Sequence, residues 1–148
     1  MRFRAIALPL LALSLSAFAA DPFVGTWKPQ VEKWISSPGA PDRKRSESIT
    51  IETTGKNEYR FTTTTLDGKA TAQVFLVDGK DHKVAEGLTY KMERIDERHL
   101  KETDIHSKGS GLFDYVVSPD GNTLTLTRKG IGLNSGRKLD ELYVYSKN

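Results

Sequence analysis

DPFVGTWKP, residues 21–29, decides how this chain is read. In an extended segment, residues two apart point the same way, so Gly25 and Trp27 share a face. A glycine beside a large indole leaves room for another strand or side chain to approach closely. In a sheet that curls on itself, that geometry lays the indole across one end of the interior as a floor. The stretch therefore predicts the opening strand of a small β-barrel.

What precedes it is MRFRAIALPLLALSLSAFAA, residues 1–20. Arg2 and Arg4, an apolar run from Ala5 to Leu15 and the small-x-small Ala17-Phe18-Ala19 make a secretory signal peptide, cleaved after Ala19 or Ala20. The apolar run is well short of the roughly 20 residues needed to cross a bilayer, so no membrane span is expected. The mature domain, 21–148, has room for one core. With no cysteine in the chain there is neither a lipid attachment point nor a disulfide. The expected location is periplasmic or secreted.

The formal charge of +3 includes the two leader arginines, and without them the mature balance is +1. So little surplus charge gives counterion release nothing to work on, which argues against nucleic-acid binding despite the local Arg43-Lys44-Arg45.

From Ser46 onward the chain alternates polar and apolar residues in short runs, with no sustained helical period. SITIE sets Ile49 and Ile51 on one face. YRFTTTTL sets Tyr59, Phe61, Thr63 and Thr65 on another. ATAQVFLV, GLTYKMERI, HLKETDIH, LFDYVVS, NTLTLTRK and LDELYVYS follow. Thr54-Gly55, Asp67-Gly68, Asp78-Gly79 and Pro119-Asp120-Gly121 supply turn chemistry between them. Short links join sequence neighbours into an all-β, antiparallel up-and-down meander of eight to ten strands, which in so small a domain closes into a barrel. The exception is PQVEKWISSPG, 29–39, where Val31, Trp34 and Ile35 fall at helical spacing. It is either a short helical lid over a barrel mouth or a loop whose tryptophan plugs a gap.

FVGTWK at the head of such a chain resembles the first strand of the calycin superfamily, the lipocalins and fatty-acid-binding proteins, and its wording is most similar to the latter. FVGTWK, SPGAPDRKRSESITIE, DGKDH, VVSPDGNTLTLT and VYSKN together resemble bacterial exported lipocalin-like proteins. The resemblance implies a calycin-like barrel. Two family features do not carry over whole. The two helices that follow the first strand in fatty-acid-binding proteins have only 29–41 to occupy, and their carboxylate-binding Arg-x-Tyr falls on Tyr143-Val144-Tyr145, without its arginine. Phe113-Asp114-Tyr115 echoes a lipocalin turn motif in a context that reads as strand. An arginine often closes over the floor tryptophan in calycins; Arg128 is the first candidate here, Arg137 the second.

With Gly25 and Trp27 inward, alternation gives an interior containing Tyr59, Phe61, Tyr90, Met92, Tyr143 and Tyr145. These, with Trp34 at the mouth, are the candidate ligand-binding residues, and Gly25, Trp27 and Arg128 the candidate floor. The same aromatics would equally serve as packed core. Tyrosines and threonines, whose hydroxyls want partners, favour a partly polar cavity over a filled one.

Candidates for chemistry are sparse. His82, His99 and His106 do not fall at metal-ligand spacing, and no HExxH, paired cysteine or phosphate-cradling loop is present, so neither metal nor cofactor is expected. His99 with Glu102, or His106 with Asp104, would be the acid–base pairs. Gly109-Ser110-Gly111 reads as a flexible turn, not a nucleophile elbow. The function expected is that of a binding protein, not an enzyme, for a small, mainly apolar molecule with a polar end. The alternative is an interaction module or inhibitor using its rim loops, especially 36–45, against an envelope protein partner.

Overall fold

The computed structural model describes residues 20–37, 47–133 and 135–148. The leader up to residue 19 and the basic loop 38–46, with Pro38-Gly39 and Arg43-Lys44-Arg45, lie outside the described residues.

Ten antiparallel strands form one curled sheet: β1 (Gly25–Pro29), β2 (Ser48–Gly55), β3 (Glu58–Thr64), β4 (Ala70–Leu76), β5 (Asp81–Ala85), β6 (Leu88–Asp96), β7 (His99–His106), β8 (Gly109–Val117), β9 (Thr123–Ile131) and β10 (Lys138–Lys147). Their order is β4-β3-β2-β1-β10-β9-β8-β7-β6-β5, so sequence neighbours pair and the last strand returns to the first. Helix among the described residues is a single turn, Val31–Lys33. The turns follow the sequence with one shift. In the β2–β3 hairpin Asn57, at φ 58, takes the left-handed position, and Gly55 extends the strand. Gly109-Ser110-Gly111 is likewise strand, not flexible turn. Gly111 faces Gly130, where a Cβ would lie 2.3 Å from the Ser110 carbonyl oxygen, so the missing side chains let β8 and β9 come together.

Backbone pairing leaves one seam, between β4 and β5. Aromatic rings bridge it. Phe61 packs edge-on to Phe75 at 5.3 Å, Phe75 edge-on to Tyr90 at 5.2 Å, and Tyr90 stacks on His82 at 5.2 Å, which carries contact from β3 through β4 to β6 and β5. The Tyr90 hydroxyl accepts a hydrogen bond from the Leu76 amide at 3.0 Å. Val77 bridges Met92, and Gly79 donates to the Met92 carbonyl. Phe61 also meets Tyr115 across the interior at 5.4 Å.

The interior is layered because strand residues two apart share a face. The lowest layer, with Trp27, Ile51, Tyr59, Val77, Met92, Leu100, Val117 and Leu124, is buried and, Tyr59 apart, apolar. Trp27 is fully buried and donates its indole N–H to the Phe23 carbonyl at 2.9 Å. It is the floor. Below it Asp21, Tyr59 and Arg94 share hydrogen bonds, and Arg94 lies over the Phe23 ring, which ties the start of the domain across the base.

Gly25 has the role its neighbour requires. A Cβ there would lie 2.8 Å from Lys147 Cε, and the Lys147 ammonium stands 5.0 Å from the Trp27 ring centroid. The cation over the floor is thus Lys147, not Arg128. Lys147 pairs directly with Trp27, whereas Arg128 stands four residues up β9 from the floor residue Leu124, about 13 Å away at ordinary strand rise. Arg137, the second candidate, lies exposed in the β9–β10 turn.

Two substitutions measure these devices. Trp27→Ala should cost about 3–5 kcal/mol in urea denaturation, the range for emptying a core aromatic site. Tyr90→Phe, which removes only the seam acceptor of the Leu76 amide, should cost about 1 kcal/mol. Equal losses would contradict the division between floor and seam.

Candidate functional site

Above the floor the barrel is hollow. A cavity of about 370 Å³ is lined by aromatic and aliphatic side chains, among them Phe61, Phe75, Tyr90, Leu126, Tyr143 and Tyr145, with Glu102, Asp104 and Arg128 set among them. That volume falls in the range of small-molecule sites, which are mostly apolar with a few placed polar groups.

The polar groups come from β7, β9 and β10, with β8 between the first two. β7 alternates Leu100, Glu102, Asp104 and His106 inward, and β9 turns Leu124, Leu126 and Arg128 inward. β10 does the same with Glu141, Tyr143 and Tyr145. Glu102, Phe113 and Arg128 lie in one cross-strand row, with the Arg128 guanidinium 5.2 Å over the Phe113 ring. Arg128 Nη1 donates to Glu141 Oε2 at 3.1 Å, and the Tyr143 hydroxyl donates to the same oxygen at 2.7 Å. Glu141 is only 5% exposed, so this is a buried, shared ion pair. Arg128 Nε is buried with no hydrogen-bond partner among the described residues.

Glu102 is equally buried and accepts the Tyr115 hydroxyl at 2.8 Å. Burial, then the neighbouring Asp104, push its carboxyl up to about 8. Burial raises Asp104 as well, against a hydrogen bond from Glu102 and the charges of His106 and Arg128. At neutral pH the two carboxyls share a proton, Glu102 holding it and donating to Asp104. Burial also carries Tyr115 well above its ordinary value, so it remains a donor.

No protein-family model matches the chain, and no curated protein sequence does. Solved structures match across nearly the whole domain. Echinococcus granulosus fatty-acid-binding protein 1 superposes with a TM-score of 0.64 at 17% identity, covering 85% of this chain and 97% of that one. A Schistosoma mansoni fatty-acid-binding protein in complex with arachidonic acid gives 0.61 at 16% identity, covering 86% and 97%. The fluorescent protein UnaG gives 0.62 at 12% identity, covering 88% and 100%. The barrel is calycin-like. Identities this low establish the fold alone, and the fatty-acid-binding neighbours are binding proteins rather than enzymes.

The candidate residues divide by layer. Phe61, Tyr90, Tyr143 and Tyr145 line the cavity. Tyr59 and Met92 do not; they belong to the floor, one step down the pleat from Phe61 and Tyr90. Trp34 does not line it either. It packs edge-on to Tyr143 at 4.9 Å and against Tyr145 at 5.7 Å, and its indole N–H donates to the Val144 carbonyl at 3.0 Å. It plugs the wall beside β10 instead of closing a mouth as a lid, because β1 ends at Pro29 and the irregular 30–35 stretch must cover β10 above it. Val31 and Ile35, grouped with it by helical spacing, are exposed.

The histidines are dispersed. His82 bonds Asp78 at 2.8 Å; His99 pairs with Asp114 at 2.8 Å; buried His106 donates from Nε2 to the Ile131 carbonyl at 3.1 Å. His99 and Glu102 point to opposite faces of β7, so that acid–base pair does not form; His106 and Asp104 share the inner face. Among the described residues no group of three His, Cys, Asp or Glu could hold a metal ion, and no helix is long and apolar enough to cross a membrane. The residues missed were Glu102 as a partner of Asp104, and Glu141. The alternation of HLKETDIH and LDELYVYS carried both inward.

The shared proton makes a pH prediction. The folded chain keeps Glu102 protonated up to about 8, while the unfolded chain ionises it at the ordinary carboxylate value. Folding therefore takes up a proton between those values, and stability declines as pH rises through that window. Glu102→Gln should exceed the wild type in urea denaturation at pH 8 by more than about 1.4 kcal/mol, the worth of one pKa unit, and by much less at pH 5. A gap that does not change with pH would contradict the assignment.

Proposed function

We propose that this chain is an exported carrier for a small apolar or amphipathic molecule, held inside the barrel. The observation that carries the reading is the division of the interior: a sealed apolar floor beneath a cavity of about 370 Å³ that has aromatic walls and a placed polar set. A barrel built only for stability would fill that space, since empty volume forfeits dispersion contacts. The leader supports export to the periplasm or beyond. The fatty-acid-binding neighbours support an apolar cargo, and the scarcity of a catalytic arrangement among the described residues favours carriage over chemistry.

Titration with a neutral apolar fluorophore tests the reading. Saturable one-to-one binding is expected, with emission of Trp34 altered through Tyr143 and Tyr145, and Trp34→Phe should remove most of the change. Thr63→Trp, which fills the cavity from a half-buried lining position, should weaken binding at least ~10-fold, or about 1.4 kcal/mol, while leaving the β-sheet circular dichroism intact. Absence of saturation with every apolar probe would end the carrier reading.

A further inference from the structure

Four ionisable side chains other than tyrosine line the cavity: Glu47, Glu102, Asp104 and Arg128. Three are acids. The single cation is already committed, because Arg128 is bonded to buried Glu141, which Tyr143 also serves. Arg128 therefore brings no uncompensated positive charge to a ligand. Its Nε remains a buried donor without a partner among the described residues, and a neutral oxygen satisfies that. On the other side stand two inward carboxyls on one strand, two residues apart, whose one hydrogen-bonding neighbour from β8 is the Tyr115 hydroxyl. A carboxylate ligand would add negative charge to an enclosed space where it is poorly screened. An ammonium would restore balance.

We propose that the cavity, on the carrier reading above, prefers amphiphiles whose polar end is a protonated amine, received by Glu102 and Asp104, over amphiphiles that end in a carboxylate. An oxygen close to the amine would take the free Arg128 Nε. The site is then distinguished from a fatty-acid site by which charge is left unpaired. Burial of the pair favours this further: a carboxyl held protonated by its surroundings gives up the proton when a cation arrives, so amine binding releases a proton near neutrality. The groups facing the pair are His106 on its own strand, Tyr115 on β8, Arg128 on β9 and, through Arg128, Glu141 on β10.

Three ligands with the same chain, dodecylamine, dodecanoate and dodecanol, each below its micellar concentration, are set to displace a neutral fluorophore at pH 7.5. Dodecylamine should displace it at a concentration at least ~10-fold lower than dodecanoate, equivalent to about 1.4 kcal/mol. In Glu102→Gln/Asp104→Asn that ratio should collapse toward one. Glu102→Gln alone, which keeps the Tyr115 hydrogen bond and removes the shared proton, should reduce it part-way and serves if the double variant does not fold. Should dodecanol bind while dodecanoate equals or surpasses dodecylamine, the amine preference is overturned and the carrier reading stands. A preference that survives in the variants also overturns the assignment to these carboxyls. If neither the fluorophore nor any of the three binds, the carrier reading falls and this inference with it.

Discussion

The side-chain pleat, two residues per repeat, is the constraint on which the whole molecule depends. Once ten antiparallel strands curl together, every inward residue belongs to a layer, and a layer's content is fixed by single positions on successive strands. The layer of Trp27, Ile51, Met92, Leu100, Val117 and Leu124 is closed because six strands, β1, β2, β6, β7, β8 and β9, each contribute a bulky apolar group to it. The next inward positions up β6, β7, β8 and β9 are Tyr90, Glu102, Tyr115 and Leu126, joined by Phe61 of β3, and there the interior opens. A one-residue slip of any strand would exchange its inner and outer sets, so the floor also holds the register of the cavity above it.

Much of the fold could be read from local patterns because the meander makes sequence neighbours spatial neighbours. SITIE and YRFTTTTL, at 48–52 and 59–66, gave their inner faces directly, and Ile49, Ile51, Tyr59 and Phe61 are all buried. What could not be read was height along the barrel axis. Alternation assigns a face but not a layer, so Tyr59 and Met92 were grouped with Phe61 and Tyr90 although they belong to the floor. Arg128 was drawn to Trp27 by the resemblance to calycins, which carries no height either. Only the pairing of Trp27 with Lys147, set where β1 meets β10, shows which cation lies at that level. For 29–39 the second of the two expected alternatives holds: one helical turn at 31–33 leads into a loop whose Trp34 plugs the wall, because β10 must be covered where β1 stops.

The polar set was hard to see in sequence because charged residues on strands are ordinarily outward and solvated. Glu102 and Glu141 sit in segments with charges on both faces, KET and DEL, and only burial separates them from their neighbours. The missing arginine of the Arg-x-Tyr that fatty-acid-binding proteins carry is instructive here. Tyr145 keeps the tyrosine's place on β10 and Tyr143 stands where the arginine would be; the guanidinium arrives from β9 instead, already paired to Glu141, which Tyr143 also serves. The same kinds of groups are present as in an anion-binding arrangement, yet the electrostatic outcome differs, since one added carboxylate cancels the charge that would have recognised an anion.

That cancellation bears on why the groups are there at all. Buried ion pairs and buried carboxyls seldom stabilise a fold relative to well-packed apolar side chains of similar size, and a shared proton between Glu102 and Asp104 signals a site under electrostatic load. The floor shows that the chain fills a layer with apolar groups where closure is the task. Retaining four ionisable groups, an orphan guanidinium nitrogen and open volume above it costs stability without improving closure. A ligand that supplies the missing donor to the carboxyls and fills the void relieves both costs together, so the instability of the empty upper barrel and its capacity to bind have the same physical origin.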